Sequence, residues 1–130
     1  MKCIALTGIA PEVIRELKLG KARTLELQST HNVVTLAGVN PGESVFMTSI
    51  DREDLSPGDA GIIVELQAVS ITMKRIIEYT QGLHFEERER VAARVKVRLT
   101  CSSTVKSVAS EGLAQPTTVD AMKCSCFQAG

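Results

Sequence analysis

One stretch constrains this chain more than any other. Val91, Ala93, Val95, Val97, Leu99 and Cys101 fall on one parity, and Ala92, Arg94, Lys96, Arg98 and Thr100 on the other. A period of two is the signature of a β-strand, whose successive side chains point to opposite faces. A helix would scatter these apolar residues around its circumference. The pattern therefore predicts a half-buried strand over 91–101, with Val91, Ala93, Val95, Val97 and Leu99 turned inward. It also demands a sheet for that strand to join.

The rest of the chain supplies one. Residues 1–7 read as a buried strand, and Gly8-Ile9-Ala10 as a turn. Pro11 suits the first position of a helix running to Leu19, with Gly20 as its stop. Arg23 to Gln28 alternates as a short strand with Leu25 and Leu27 on one side. Residues 30–39 fit either a helical turn or a strand. Asn40-Pro41-Gly42 turns the chain into a strand at 44–48, and Ser49 to Asp59 is a polar loop. Between Gly61 and Tyr79 the apolar parity switches near 68–69, which predicts a β-bulge or bend. Thr80 to Phe85 reads as a loop, and Val105 with Val108 as one more strand.

These elements predict an α+β fold: a bent, mostly antiparallel sheet with one or two short helices, closing into a small pseudo-barrel. Residues 1–110 would form the single globular domain and 111–130 a loosely attached tail. At 130 residues and 44% hydrophobic content, the chain is long and apolar enough for one core. No apolar run approaches the roughly 20 residues of a membrane span. Four cysteines (Cys3, Cys101, Cys124 and Cys126) without a convincing secretory signal read as reduced thiols in a cytoplasmic protein.

Lys plus Arg equals Asp plus Glu at 15 each, which excludes a protein-wide basic or acidic field. The charge is nonetheless placed unevenly. Residues 1–65 carry six basic and nine acidic groups, while 88–106 carry six basic and only Glu89 against them. Arg88, Arg90, Arg94, Lys96 and Arg98 share one parity, so a continuous strand would project all five from one face at about 7 Å intervals. Such a stripe is either a solvated face neutralised by Glu65, Glu78 or Glu86, or a surface that tracks phosphates. The scarcity of aromatics disfavours base stacking, but shape-level contact to RNA does not need it.

Other chemistry is thinly represented. Cys124 and Cys126 are too close for the knuckle of a zinc site, and His31 and His84 are isolated, so no metal is expected. Asp51-Arg52-Glu53-Asp54 lacks calcium-loop spacing. No phosphate-binding loop, dinucleotide fingerprint or nucleophile elbow is present, and no cofactor is expected.

Gly20, Arg23 and Glu26, followed by Gln28 where an Arg is usual, resemble the strand signature of ASCH domains in the PUA-like group. The later Gly42-Glu43-Ser44-Val45-Phe46-Met47 resembles the entry to their next strand. That resemblance implies a cleft lined by 23–28 and a PUA-like pseudo-barrel. It also implies either RNA or nucleotide binding, with Arg23 joining the stripe, or hydrolysis of a modified nucleoside using Lys21, Thr24 and Glu26. Across most of 1–110 the chain more closely resembles an archaeal, methanogen-type family of unknown function, number 473. This rests on Met1-Lys2-Cys3-Ile4-Ala5-Leu6-Thr7-Gly8-Ile9, Arg23-Thr24-Leu25-Glu26-Leu27, His31-Asn32-Val33 and Val45-Phe46-Met47-Thr48-Ser49. Arg52-Glu53-Asp54, Pro57-Gly58-Asp59 and Glu87-Arg88-Glu89 before Ala92-Ala93-Arg94 extend it. The resemblance implies an archaeal cytoplasmic protein and no particular activity. Three functions follow as expectations: a module for RNA or a nucleotide, a small hydrolase, or an assembly protein without a small ligand. A homo-oligomer is compatible with each.

Overall fold

The computed structural model describes the backbone of residues 1–20, 22–80, 84–109 and 116–123, and their side chains except at 73–80 and 84–90. In chain order the elements are β1 (Lys2–Leu6), α1 (Pro11–Lys18), β2 (Arg23–Leu27), α2 (Thr30–Ala37), β3 (Ser44–Met47), a short 3-10 turn (Arg52–Asp54), β4 (Ala60–Thr80), β5 (His84–Ala109) and β6 (Thr118–Lys123).

The strands form one sheet in the order β2-β5-β4-β3-β1-β6, and β6 also pairs with β5. The pairings thus return to their start, as a ring of β1, β3, β4, β5 and β6 with β2 attached to the outer part of β5. Only β1 and β3 run parallel; the other pairs are antiparallel. The predicted α+β class and bent, mostly antiparallel sheet are thereby met.

α1 forms where Pro11 opens it, and it buries Ile14 and Leu17. The ambiguity at 30–39 resolves as helix. Ser29 caps α2 by accepting from the Asn32 amide at 3.5 Å, and Gly38 closes it. Val33, Val34 and Thr35 are poor helix formers by themselves. Burial of Val33 and Leu36 overrides that preference.

Two cores result. The larger lies under the helices and joins Leu6, Val45, Met47, Ile62, Val64 and Val95 to α1, α2 and β2. The smaller takes at least one residue from every strand of the ring: Ala5, Phe46, Ile63, Val105, Val119 and Ala121. Ile62, Ile63 and Val64 are consecutive and all fully buried, because this part of the sheet is covered on both faces. Gly61 is fixed by the same crowding. A Cβ there would run into the Phe46 ring and lie 2.7 Å from the Met47 carbonyl oxygen.

Several sequence expectations change in detail. Strand 91–101 belongs to a far longer β5, and Val105 and Val108 continue it instead of forming a separate strand. Ala93, Val95 and Val97 are fully buried, and Val91 and Leu99 pack against the larger core. Cys101 leaves that face. Ile63 pairs with Cys101 and Val64 with Leu99, so Thr100 is an extra residue that turns Cys101 to the smaller core. The predicted switch in 61–79 is the second irregularity: Leu66 pairs with Val97 and Ala68 with Lys96, leaving Gln67 extra. Thr80, His84 and Phe85, expected in a loop, lie in β4 and β5. Residues 118–123, expected in a loose tail, form β6, pair with β1 and β5, and bury Val119 and Ala121. An apolar-polar alternation only six residues long among small residues gave no warning of that strand.

A candidate basic sheet face

β5 sits between β2 and β4 beyond the ring, and its two faces differ completely. The face with Ala93, Val95 and Val97 is sealed by the helices. On the opposite face Arg94, Lys96 and Arg98 are exposed. Thr24 and Glu26 of β2 are exposed beside them, as are Ser70 and Thr72 of β4.

Register decides what each cation meets. Arg94 stands opposite Glu26 on one side and Ser70 on the other. Lys96 stands opposite Thr24 and Ala68, with no acid directly across. Arg98 stands opposite Glu65. Of the three acids expected to neutralise the stripe, Glu65 alone occupies a directly opposing position among these; Glu78 and Glu86 face each other. Glu26 is the neighbour the sequence could not reveal, because nothing local says that β2 pairs with β5. Glu26, Ser70, Thr72 and Arg94 border a small pocket of about 220 Å³.

The remaining candidate residues separate. Arg23 lies half-buried and its guanidinium donates to Glu16 of α1, away from the stripe. Lys21 lies outside the described residues, so its approach to Thr24 and Glu26 does too. The side chains of Arg88 and Arg90 also lie outside them, although both residues have register positions in β5. Residues 23–28 do line a cleft, of about 320 Å³, closed on its far side by Gly8, Ile9, Ala10 and Val13.

At the floor of that cleft is a residue that the sequence reading passed over. Asn32 is buried; its Nδ2 donates to the Thr7 carbonyl at 2.8 Å and its Oδ1 accepts from the Thr7 amide at 3.1 Å. One side chain thus satisfies both backbone groups where β1 ends. The only local signal was an Asn in the run His31-Asn32-Val33.

Elsewhere the polar groups do structural work. His31 lies 3.4 Å from the Thr117 hydroxyl, and partial burial, followed by the nearby Arg52 charge, lowers its pKa; Glu53 opposes that shift. Burial pushes the Cys3 thiol up. No disulfide joins Cys3 to Cys101. Cys124 and Cys126 lie outside the described residues. Among the described residues, no three His, Cys, Asp or Glu side chains gather as a metal site would require. A larger hollow of about 620 Å³ opens beside Cys3, Ser44 and Thr118. Its Asp120 is engaged by the terminal amine at 2.8 Å, and it offers no buried polar group awaiting a ligand. No described helix is long and apolar enough to cross a membrane.

The molecule is an α+β protein, a mostly antiparallel sheet with two helices packed on it. Its fold is similar to the N terminal domain of Mycobacterium avium complex Lon protease, with a TM-score of 0.53 and 14% identity. That match covers 100% of this chain and 58% of the other. The chain belongs to the family described as protein of unknown function (DUF473), whose pattern it matches over residues 1–119. An uncharacterized protein of Methanocaldococcus jannaschii, MJ0105, is 32% identical over 99 residues, which is 76% of this chain and 61% of that protein. The chain therefore spans less than two thirds of either comparison protein.

Proposed function

We propose that this chain is a binding module of PUA-like type that takes RNA or a nucleotide on the open face of β2, β5 and β4. The observation carrying this reading is that Arg94, Lys96 and Arg98 are all exposed on one uncovered sheet face of a chain with no net charge. Cations on adjacent same-face positions repel, and a bound phosphate backbone relieves that repulsion while releasing counterions. Glu26 and Glu65 offset part of the field, so the contact is weak and electrostatic. Hydrolysis through Lys21, Thr24 and Glu26 has less support. Thr24 and Glu26 are exposed and stand opposite Lys96 and Arg94.

Fluorescence anisotropy with a single-stranded RNA at about 50 mM salt, where electrostatic binding is favoured, tests the reading. Three phosphate contacts give a slope of log K against log salt of roughly −2. Replacing Arg94 and Arg98 by Gln should flatten it by more than about one unit. No association at high protein concentration would leave the stripe as a solvated face.

A further inference from the structure

The ladder between β4 and β5 outruns the rest of the sheet. β2 accompanies β5 only as far as Leu27 opposite Ala93, and β3 accompanies β4 only from Ile62 to Glu65. From Met73 opposite Val91 to Thr80 opposite His84 the described pairing is two-stranded. Those eight rungs extend roughly 25 Å beyond the three-stranded part. A two-stranded ribbon is marginally stable by itself, so its cross-strand pairs decide how well it holds.

Those pairs divide by parity: Arg75 opposite Glu89 and Tyr79 opposite Phe85 favour the ribbon, whereas the other parity sets like charges against each other. Lys74 stands directly opposite Arg90, and Arg88 occupies the next same-parity position. Like charges placed directly across a ladder destabilise it unless a counter-charge bridges them. The spacing is unbroken from Ser70 opposite Arg94 to Lys74 opposite Arg90, so these positions share the parity of the open basic face. Lys74 is thus a sixth basic position that the sequence pattern alone did not align with the other five. From Arg98 to Arg88 the basic register spans roughly 33 Å, about one turn of a double helix. It ends where Glu78 faces Glu86. Tyr79 and Phe85 stand opposite each other on the other parity, so the basic parity of the ribbon carries no Tyr, Phe or Trp position for stacking the bases of a single strand.

We propose that the β4–β5 ribbon is an arm that lies along the groove of a double-helical nucleic acid, with Lys74 and Arg90 contacting its phosphates. This rests on the binding reading above and names its partner as a duplex instead of a single strand or a free nucleotide. A two-stranded ribbon fits the roughly 12 Å major groove of B-form DNA. An A-form RNA duplex offers its wide, shallow minor groove.

The test is an anisotropy titration of the full chain between about 50 and 200 mM salt. Its probes are a DNA duplex of about 20 base pairs, roughly two helical turns, an RNA duplex of the same length, one single strand of each, and a mononucleotide. The wild type should bind a duplex at least about tenfold more tightly than the single strands, with a slope near −4 for about four to five phosphate contacts on B-form DNA. Groove choice is read from which duplex is preferred. Lys74→Gln with Arg90→Gln should flatten the duplex slope by about 1.8, removing a roughly 12-fold salt effect over that range. The charge-preserving exchange of Lys74→Arg with Arg90→Lys should retain binding, which separates lost charge from a damaged ribbon. Equal affinity for duplex and single strand, with the Gln variant unchanged, would overturn the arm and spare the binding face. The arm is equally overturned if the Gln variant keeps its affinity but self-associates, since the charges would then serve only to protect exposed strand edges. Failure to bind any probe would remove both readings.

Discussion

β4 and β5 pass through two environments that share the same backbone and obey different rules. At the ring end both faces of the sheet are buried, and Ile62, Ile63 and Val64 are apolar in succession. At the open end only the helix-covered face is buried, and β5 alternates Ala93, Arg94, Val95, Lys96, Val97 and Arg98. The difference follows from closure. β1, β3 and β6 complete the ring at one end, so a polar side chain pointing inward there would be desolvated. Beyond the ring that face returns to water, where long charged side chains cost little. The bulges at Thr100 and Gln67 sit between the two regimes and let one strand serve both cores.

Substitutions inside the ring should be the most damaging. Phe46→Ala empties a fully buried ring position and should cost about 3–5 kcal/mol in urea denaturation. A cost under about 1 kcal/mol would mean that the smaller core collapses around the void and contributes little rigidity. Gly61→Ala comes next, at about 3 kcal/mol, because both the Phe46 ring and the Met47 carbonyl block the added methyl. The double variant Phe46→Ala with Gly61→Ala should be less destabilised than the sum of the two, since the first change makes room for the second.

Asn32→Ala lies between the regimes and should cost about 2 kcal/mol, because it strips partners from the Thr7 amide and carbonyl. Hydrogen exchange would show the Thr7 amide losing protection before the rest of β1. On the open face, Arg94→Gln with Arg98→Gln should shift stability by no more than about 0.5 kcal/mol, in contrast with the ring. A larger loss would show that Glu26 and Glu65 hold the sheet through these cations, and would count against a vacant binding face.

The smallest effect concerns pH. His31 has a folded pKa below its ordinary value, so the fold prefers the neutral ring. Its contribution is fully present above the unfolded pKa of about 6.5 and fades as pH falls through the lower folded value. Melting temperature should therefore decline slightly on acidification through that window. His31→Gln should decline less. An unchanged slope would assign the effect to other groups.

Much of the local structure was legible because it rests on short-range physics. Alternation at 91–99, Pro11 with Gly20 around α1, and the parity switch before Val69 each reflect backbone periodicity or a special dihedral. The family was legible as well, from residue runs spread over most of 1–110. Residues 30–37 were not, because β-branched side chains argue against the helix that tertiary burial selects. β6 was not, because Val119 and Ala121 become core residues only once β1 and β5 flank them. The charges at 94, 96 and 98 were legible as a face. That Glu26 opposes Arg94, Glu65 opposes Arg98 and Lys74 opposes Arg90 was decided by strand order and register, which depend on contacts between residues tens of positions apart. The sequence by itself determined which residues alternate, cap and turn, since those choices are settled within a few bonds. Only the tertiary structure decided where the sheet closes and which charges meet, because closure and pairing are properties of the whole ring.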